Sequence, residues 1–159
     1  MRRVWIAAAA ILTMVCLASC GEKPAEKLPN TEEDETMKIV VKSEEYEIVY
    51  ELNQSKAARE LYGQLPLTLE VEDFSTNEKV FYPPEELYVS DAPLAEGGQG
   101  TLAYYSPWAD VVMFYDHFDQ GNSLYALGKA VSGKENIAKL SGRITVTAGQ
   151  RREGGDEQK

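Results

Sequence analysis

QGTLAYYSPWADVVMFY, residues 99–115, sets two short runs of strand formers around a Ser-Pro-Trp corner. Successive side chains of a strand point to opposite faces, so each run predicts one inward and one outward set. Along 101–105 the alternation separates Leu102 and Tyr104 from Ala103 and Tyr105, so one tyrosine faces in and its neighbour out. Along 110–115 it separates Val112 and Phe114 from Val111, Met113 and Tyr115. Pro107 has no N–H to give to a ladder, which marks the corner of a hairpin and leaves Trp108 as a partly exposed indole. The glycines of Gly97-Gly98-Gln99-Gly100 read as a turn feeding the first strand.

The same period-2 signal extends outward on both sides. Met37, Ile39 and Val41 alternate with Lys38 and Lys42, and Tyr46, Ile48, Tyr50 and Leu52 alternate with Glu47 and Glu51. Ser43-Glu44-Glu45 between them reads as a hairpin turn. Leu67, Leu69 and Val71, and later Ile144 and Val146, repeat the pattern against polar neighbours. One dry and one wet face per strand is the antiparallel signature. Two segments break the rhythm. Residues 53–66 open on the capping type Asn53, space Ala58, Leu61, Tyr62 and Leu65 at three and four, and stop at Gly63 and Pro66, which predicts a helix. Residues 133–141 predict a shorter one that brings Ile137 and Leu140 together. No internal repeat is present. The order strand, strand, helix, several strands, short helix, final strand predicts a mainly β fold, a closed barrel or sandwich with two short helices available to plug its ends.

The chain's ends concern location. MRRVWIAAAAILTMVCLASC begins with Arg2 and Arg3, runs apolar from Val4 to Leu17 and closes on small residues, the order of a secretory signal peptide. An apolar run of about fourteen residues is roughly 21 Å as a helix, short of a bilayer's hydrocarbon core of roughly 30 Å. Leu17-Ala18-Ser19-Cys20 resembles the lipobox of bacterial lipoproteins. The resemblance implies removal of residues 1–19 and acylation of Cys20, the alternative being an uncleaved helical anchor. Burial of about 0.8 kcal/mol per CH₂ makes one acyl chain marginal and several a stable anchor. Gly21 follows the cysteine, so the implied location is the cell envelope, the outer membrane if the organism has one. Residues 20–36 then form an acidic tether poor in large apolar groups, residues 37–148 the folded domain, and residues 149–159 a tail without an apolar anchor. With Cys16 removed and Cys20 lipidated, no thiol remains for disulfide, metal or nucleophile chemistry.

The full chain carries 26 acids against 16 bases, a formal net charge of −10, and loss of Arg2 and Arg3 makes it more negative still. Such a balance excludes nucleic acid and electrostatic adhesion to anionic lipid as partners. His117 is the only histidine, in YDHFDQGNS. A hydrolytic site would pair it with Asp110, Asp116 or Asp119, yet no G-x-S-x-G elbow supplies a nucleophile. One histidine with loose carboxylates also falls below the ligand density of a zinc site, so no metal is expected. No phosphate-loop or dinucleotide fingerprint occurs, and no cofactor is expected. The aromatic residues remain. Tyr105, Trp108 and Phe118, with Tyr82 on the Phe-Tyr-Pro-Pro loop, would make a groove suited to an extended or proline-containing peptide, the competing assignment being ordinary barrel packing.

Three phrases, YELNQSKAARELYGQLPLTLEVEDF (50–74), GTLAYYSPWADVVMFYDHF (100–118) and LYALGKAVSGKENIAKLSG (124–142), resemble bacterial cyclophilin-like proteins over nearly all of Met37–Thr147. The resemblance implies a closed antiparallel cyclophilin-like barrel whose two helices cover the openings. It also raises peptidyl-prolyl isomerisation, in which a cationic donor, an arginine on a mid-barrel strand in cyclophilins, is aimed at the imide nitrogen. The amide barrier is about 18–20 kcal/mol, and such a donor favours the twisted state. LTLEVEDF, the strand after the first helix, has no arginine. Arg59 lies within the predicted helix, and Arg143, opening the last strand, is the remaining candidate donor. The expectation is therefore a monomeric, membrane-tethered envelope module that binds peptide or protein without catalysis, with weak isomerase activity as the alternative. Relatives occur beside flavodoxin-like domains, which suggests a redox partner, although nothing in these residues is suited to flavin.

Overall fold

The computed structural model describes residues 36–150. The signal segment, Cys20, nearly all of the tether and most of the tail lie outside the described residues.

Eight strands are connected in the chain order β1 (Lys38–Lys42), β2 (Glu47–Leu52), α1 (Lys56–Gly63), β3 (Leu67–Phe74), β4 (Glu78–Phe81), β5 (Thr101–Tyr105), β6 (Asp110–Phe114), β7 (Leu124–Ser132), a 3₁₀ helix (Lys134–Lys139) and β8 (Gly142–Ala148). They close on themselves as an antiparallel barrel in the spatial order β1-β2-β7-β5-β6-β4-β3-β8. Closure removes every edge strand, and every strand then has two partners for its backbone polar groups. One of the two sets that the alternation separates in each of these strands meets in a single core: Ile39 and Val41, Ile48 and Tyr50, Leu102 and Tyr104, Val111 and Met113, Ile144 and Val146 are all buried in it. Burial of this apolar surface is the main favourable term in a fold of this size.

Both helices add their apolar faces to that core, α1 through Ala57, Ala58 and Leu61, the 3₁₀ helix through Ile137 and Leu140 beside it. Two local readings need correction. The cap of α1 is Ser55, whose hydroxyl accepts from Ala58 N–H at 3.2 Å, not Asn53. Asn53 instead holds the approach to the helix. Its side-chain oxygen accepts from Ser55 N–H at 3.0 Å and from the Ser55 hydroxyl at 2.6 Å, while its amide donates to the Ala126 carbonyl at 2.7 Å. The second helix is a 3₁₀ helix of six residues entered through left-handed Gly133, a winding favoured in runs this short.

The long connection from β4 to β5 straps α1 in place. The Asp91 carboxylate accepts from Lys56 N–H, Gln64 and Glu85 exchange side-chain-to-backbone bonds of 3.1 Å, and Tyr88 N–H donates to Glu60 at 2.6 Å. Lys56 sits 4.0 Å above the Tyr88 ring. At the other end of the domain Gly149 N–H still donates to Lys38 at 2.7 Å, so the last ladder bond reaches the first residue of the expected tail.

Candidate functional site

Strands β5 and β6 are buried along almost their whole length on both faces. The inner face belongs to the barrel core. The outer face carries a second cluster, in which Val80 of β4, Ala103 of β5, and Val112 and Phe114 of β6 lie under Ala95, Phe118 and Leu124. The Phe114 and Phe118 rings stack at 3.8 Å between centroids. This outer cluster is covered incompletely. Beside it lies an open groove of about 270 Å³, floored by Val112, Phe114, Phe118 and Leu124 and walled by Phe74, Tyr105 and Trp108.

Trp108 is 52% exposed. Its ring meets Phe74 edge-on at 5.1 Å and Tyr105 edge-on at 5.4 Å. Contacts of that geometry contribute about 0.5–1.5 kcal/mol each beyond area burial, so the indole is held in place although half of it is wet. The hairpin does the holding. Trp108 N–H donates to the Tyr105 carbonyl at 3.3 Å. Ala109 then takes a left-handed conformation with φ 56°, which costs a residue with a Cβ roughly 1–2 kcal/mol and turns the chain into β6.

Asp110 is the first residue of β6 and shares its outward parity with Val112 and Phe114. It pairs in register with Tyr105 across the hairpin. Only 2% of it is exposed, it lines the groove, and its Oδ1 has no hydrogen-bond partner among the described residues. Burial pushes its carboxyl above the usual aspartate range, against a smaller opposing effect from its own backbone N–H. Glu78 on β4 lines the same groove and is raised too, first by burial and then by the Asp110 charge. Asp119 stands at the rim. Among the described residues the lining includes three carboxylates and no lysine, arginine or histidine.

The expected groove residues are placed as follows. Tyr105, Trp108 and Phe118 line one groove, together with Phe74 and Phe114. Tyr82 does not line it. One step beyond the Phe81–Val111 pairing of β4 with β6, its phenol is raised first by burial and next by the charge of Asp110. Arg143 lies elsewhere, on β8, paired in register with Glu70 and forming an exposed ion pair with it at 3.6 Å. Glu70 is four residues before Phe74 on β3, about 13 Å at a strand's rise. His117 and Asp119 form an exposed contact of 3.6 Å. Among the described residues no group of three metal-ligating side chains comes together. The residue that sequence reasoning left without a role in this groove is Asp110. Its only sequence signal was position, one acid directly after the corner and on the outward parity of β6.

A family model described as the cyclophilin-like family matches residues 41–148. The chain belongs to the cyclophilin-like family. The solution structure of the hypothetical protein AF2241 from Archaeoglobus fulgidus is similar in fold to this cyclophilin-like chain, with a TM-score of 0.57 and 16% identity over 72% of this chain and 95% of that one. At that identity the likeness speaks for the fold alone. No curated protein matches the chain.

One pH effect follows from the buried acid. A carboxylate whose folded-state pKa is raised stabilises the fold below the unfolded carboxylate range, and that contribution is lost as pH rises through the raised value. Asp110→Asn keeps the shape and removes the ionisation. At pH 7 it is expected to raise the melting temperature by a few degrees, since leaving a buried charged acceptor unmet costs about 1 kcal/mol or more. Near pH 3.5, where the aspartate is already protonated in the fold, the two proteins are expected to melt together. Thermal scans at the two pH values check this, and an equal gap at both would refute it.

Proposed function

We propose that the protein is a lipid-anchored module of the cell envelope that holds extended peptide segments in the Trp108 groove without chemical turnover. The observation that supports the reading is the indole itself: half exposed, edge-packed by Phe74 and Tyr105, and set over an apolar floor. A rigid aromatic that is already ordered loses little entropy on binding, which is the economy of peptide-binding surfaces. Tyr82 beside the groove would extend the contact along the peptide.

Binding to a positional-scanning array of capped, proline-containing hexapeptides tests the reading with the full chain in detergent. Trp108→Ala is expected to weaken the bound set by ten-fold or more while moving the melting temperature by less than about 4 °C, a shift on the order of 1 kcal/mol or less. An array on which parent and Trp108→Ala are equally blank would sink it. The isomerase alternative is separated by a protease-coupled proline-peptide assay. Acceleration that disappears in Arg143→Ala would favour it, although Arg143 is outside the groove and engaged by Glu70.

Anchoring has its own test. Palmitate is expected to label the chain at Cys20, and a Cys20→Ala chain is expected to lose both the label and the membrane fraction. A Cys20→Ala chain that still labels and sediments with membranes removes the tether from the account.

A further inference from the structure

An apolar groove that only gripped proline rings and aromatic side chains would have no use for a buried, unmet carboxylate. Asp110 is that group. The alternation of β6 turns it to the same side as Val112 and Phe114, the Tyr105 pairing holds its backbone, and Oδ1 is left without a partner among the described residues. The left-handed Ala109 delivers the chain to this position at a conformational cost. An acceptor that is nearly fully buried and unsatisfied is destabilising unless something else satisfies it. Glu78 on the neighbouring strand and Asp119 at the rim add negative charge to the same wall, and among the described residues no cation lines it.

Resting on the groove reading, we propose that the occupant is a peptide segment bearing a lysine or arginine, whose cationic head is received by Asp110 while its neighbours pack on Trp108 and Phe118. The charge complementarity is local and global at once. The N–H donors of a lysine or guanidinium head match the Asp110 carboxylate that lines the groove, whose Oδ1 has no partner among the described residues, and charge-assisted bonds of this kind are about twice as strong as neutral ones. The stem of either side chain is apolar and suits the aromatic wall. The chain's net charge of −10 further favours encounter with basic segments. The aromatic wall is equally suited to cations, since a cation near a tryptophan face is attracted by the ring quadrupole.

The same hexapeptide array separates this inference from the reading beneath it. The full chain is expected to select lysine or arginine at one position by ten-fold or more over norleucine, the neutral apolar counterpart. Asp110→Asn is expected to abolish that preference and to keep the selection for apolar and proline neighbours, whereas Trp108→Ala weakens every peptide. Selection for apolar neighbours with lysine and norleucine equal overturns the basic-segment proposal and leaves the groove standing. A basic preference that survives in Asp110→Asn overturns the assignment to Asp110. An array blank for the parent overturns both. A mass that doubles with concentration and falls in Trp108→Ala would place a second copy of the chain in the groove, and would overturn the foreign segment as occupant. Because Asp110→Asn is expected to melt no lower than the parent, its loss of preference cannot be ascribed to unfolding.

Discussion

Gly128→Ala is expected to destabilise the barrel by about 3 kcal/mol, the upper end of the cost of overpacking a tight site. For a domain of this size that is a fall in melting temperature of about 12 °C. Gly128 lies near the middle of β7, opposite Leu52 of β2 on one side and Leu102 of β5 on the other. A Cβ there would overlap the Glu51 carbonyl oxygen and come within 2.9 Å of Leu52 Cα. Both are backbone atoms of the paired strand, so no side chain can swing aside. The crowding has a cause in the register. The pairing of β7 shifts once against β5, where Leu127 is the extra residue, and once against β2, where Val131 is. Bulges coil a strand more sharply, and glycine allows the close approach that results. Gly63→Ala is the control, since a Cβ at Gly63 meets no atom within 4 Å, and it is expected to stay within about 1 kcal/mol of the parent. Urea unfolding of both variants decides the matter. Equal midpoints for Gly128→Ala and the parent would mean that the strands can separate at no cost, contrary to the closed ladder.

The second large effect is a pair of identical substitutions with opposite signs. Tyr50→Phe is expected to stabilise the fold by about 1 kcal/mol or more, and Tyr104→Phe to destabilise it by a similar amount. Both rings are inward and buried in the barrel core. The Tyr50 hydroxyl has no partner among the described residues, and full burial pushes its pKa strongly upward. The Tyr104 hydroxyl accepts from Leu87 N–H at 3.1 Å, tying the long β4–β5 connection to the barrel. Removing the first oxygen relieves an unmet desolvation. Removing the second leaves a buried N–H without its acceptor, which is the costlier asymmetry of hydrogen-bond deletion. Thermal scans at pH 7 read both, and a Tyr50→Phe protein that melts several degrees below the parent would show that the core satisfies that hydroxyl after all.

Legibility in the sequence tracked the strength of each strand's period. β1, β2 and β8 alternate cleanly, and their inward residues are the ones the core contains. β7 could not be read this way, because Leu127 and Val131 each shift its register and break the two-residue repeat. β4 is only four residues long and all but its first are buried, so it offers no contrast between faces. In α1 the capping types Asn53 and Ser55 are two residues apart; the bond from Ala58 N–H to the Ser55 hydroxyl makes Ser55 the cap, while Asn53 is turned toward distant Ala126.

The groove divides along the same line. The exposure expected for Trp108 followed from Pro107 and the corner, and the opposite facing of Tyr104 and Tyr105 followed from their strand. That Phe114 would be buried on the outward face did not follow, since period-2 logic assigns such a residue to water. It is dry because Phe118, from the loop that directly follows β6, and Leu124 and Ala95, from other segments, lie across it. Asp110 is the sharpest case. Local sequence describes an acid after a turn, a type that is ordinarily solvated. Burial of its carboxylate depends on the strands β4 and β5 that flank β6 and on what lies across them.

The sequence alone therefore determined the alternating faces, the two plugs, the corner at Trp108 and the family, because each rests on spacing within a few residues or on recurring phrases. Only the tertiary structure decided which outward residues are covered, which hydroxyl and which carboxylate are left without partners, and where β7 and β2 touch. Those depend on barrel closure, which brings together atoms that the chain keeps tens of residues apart.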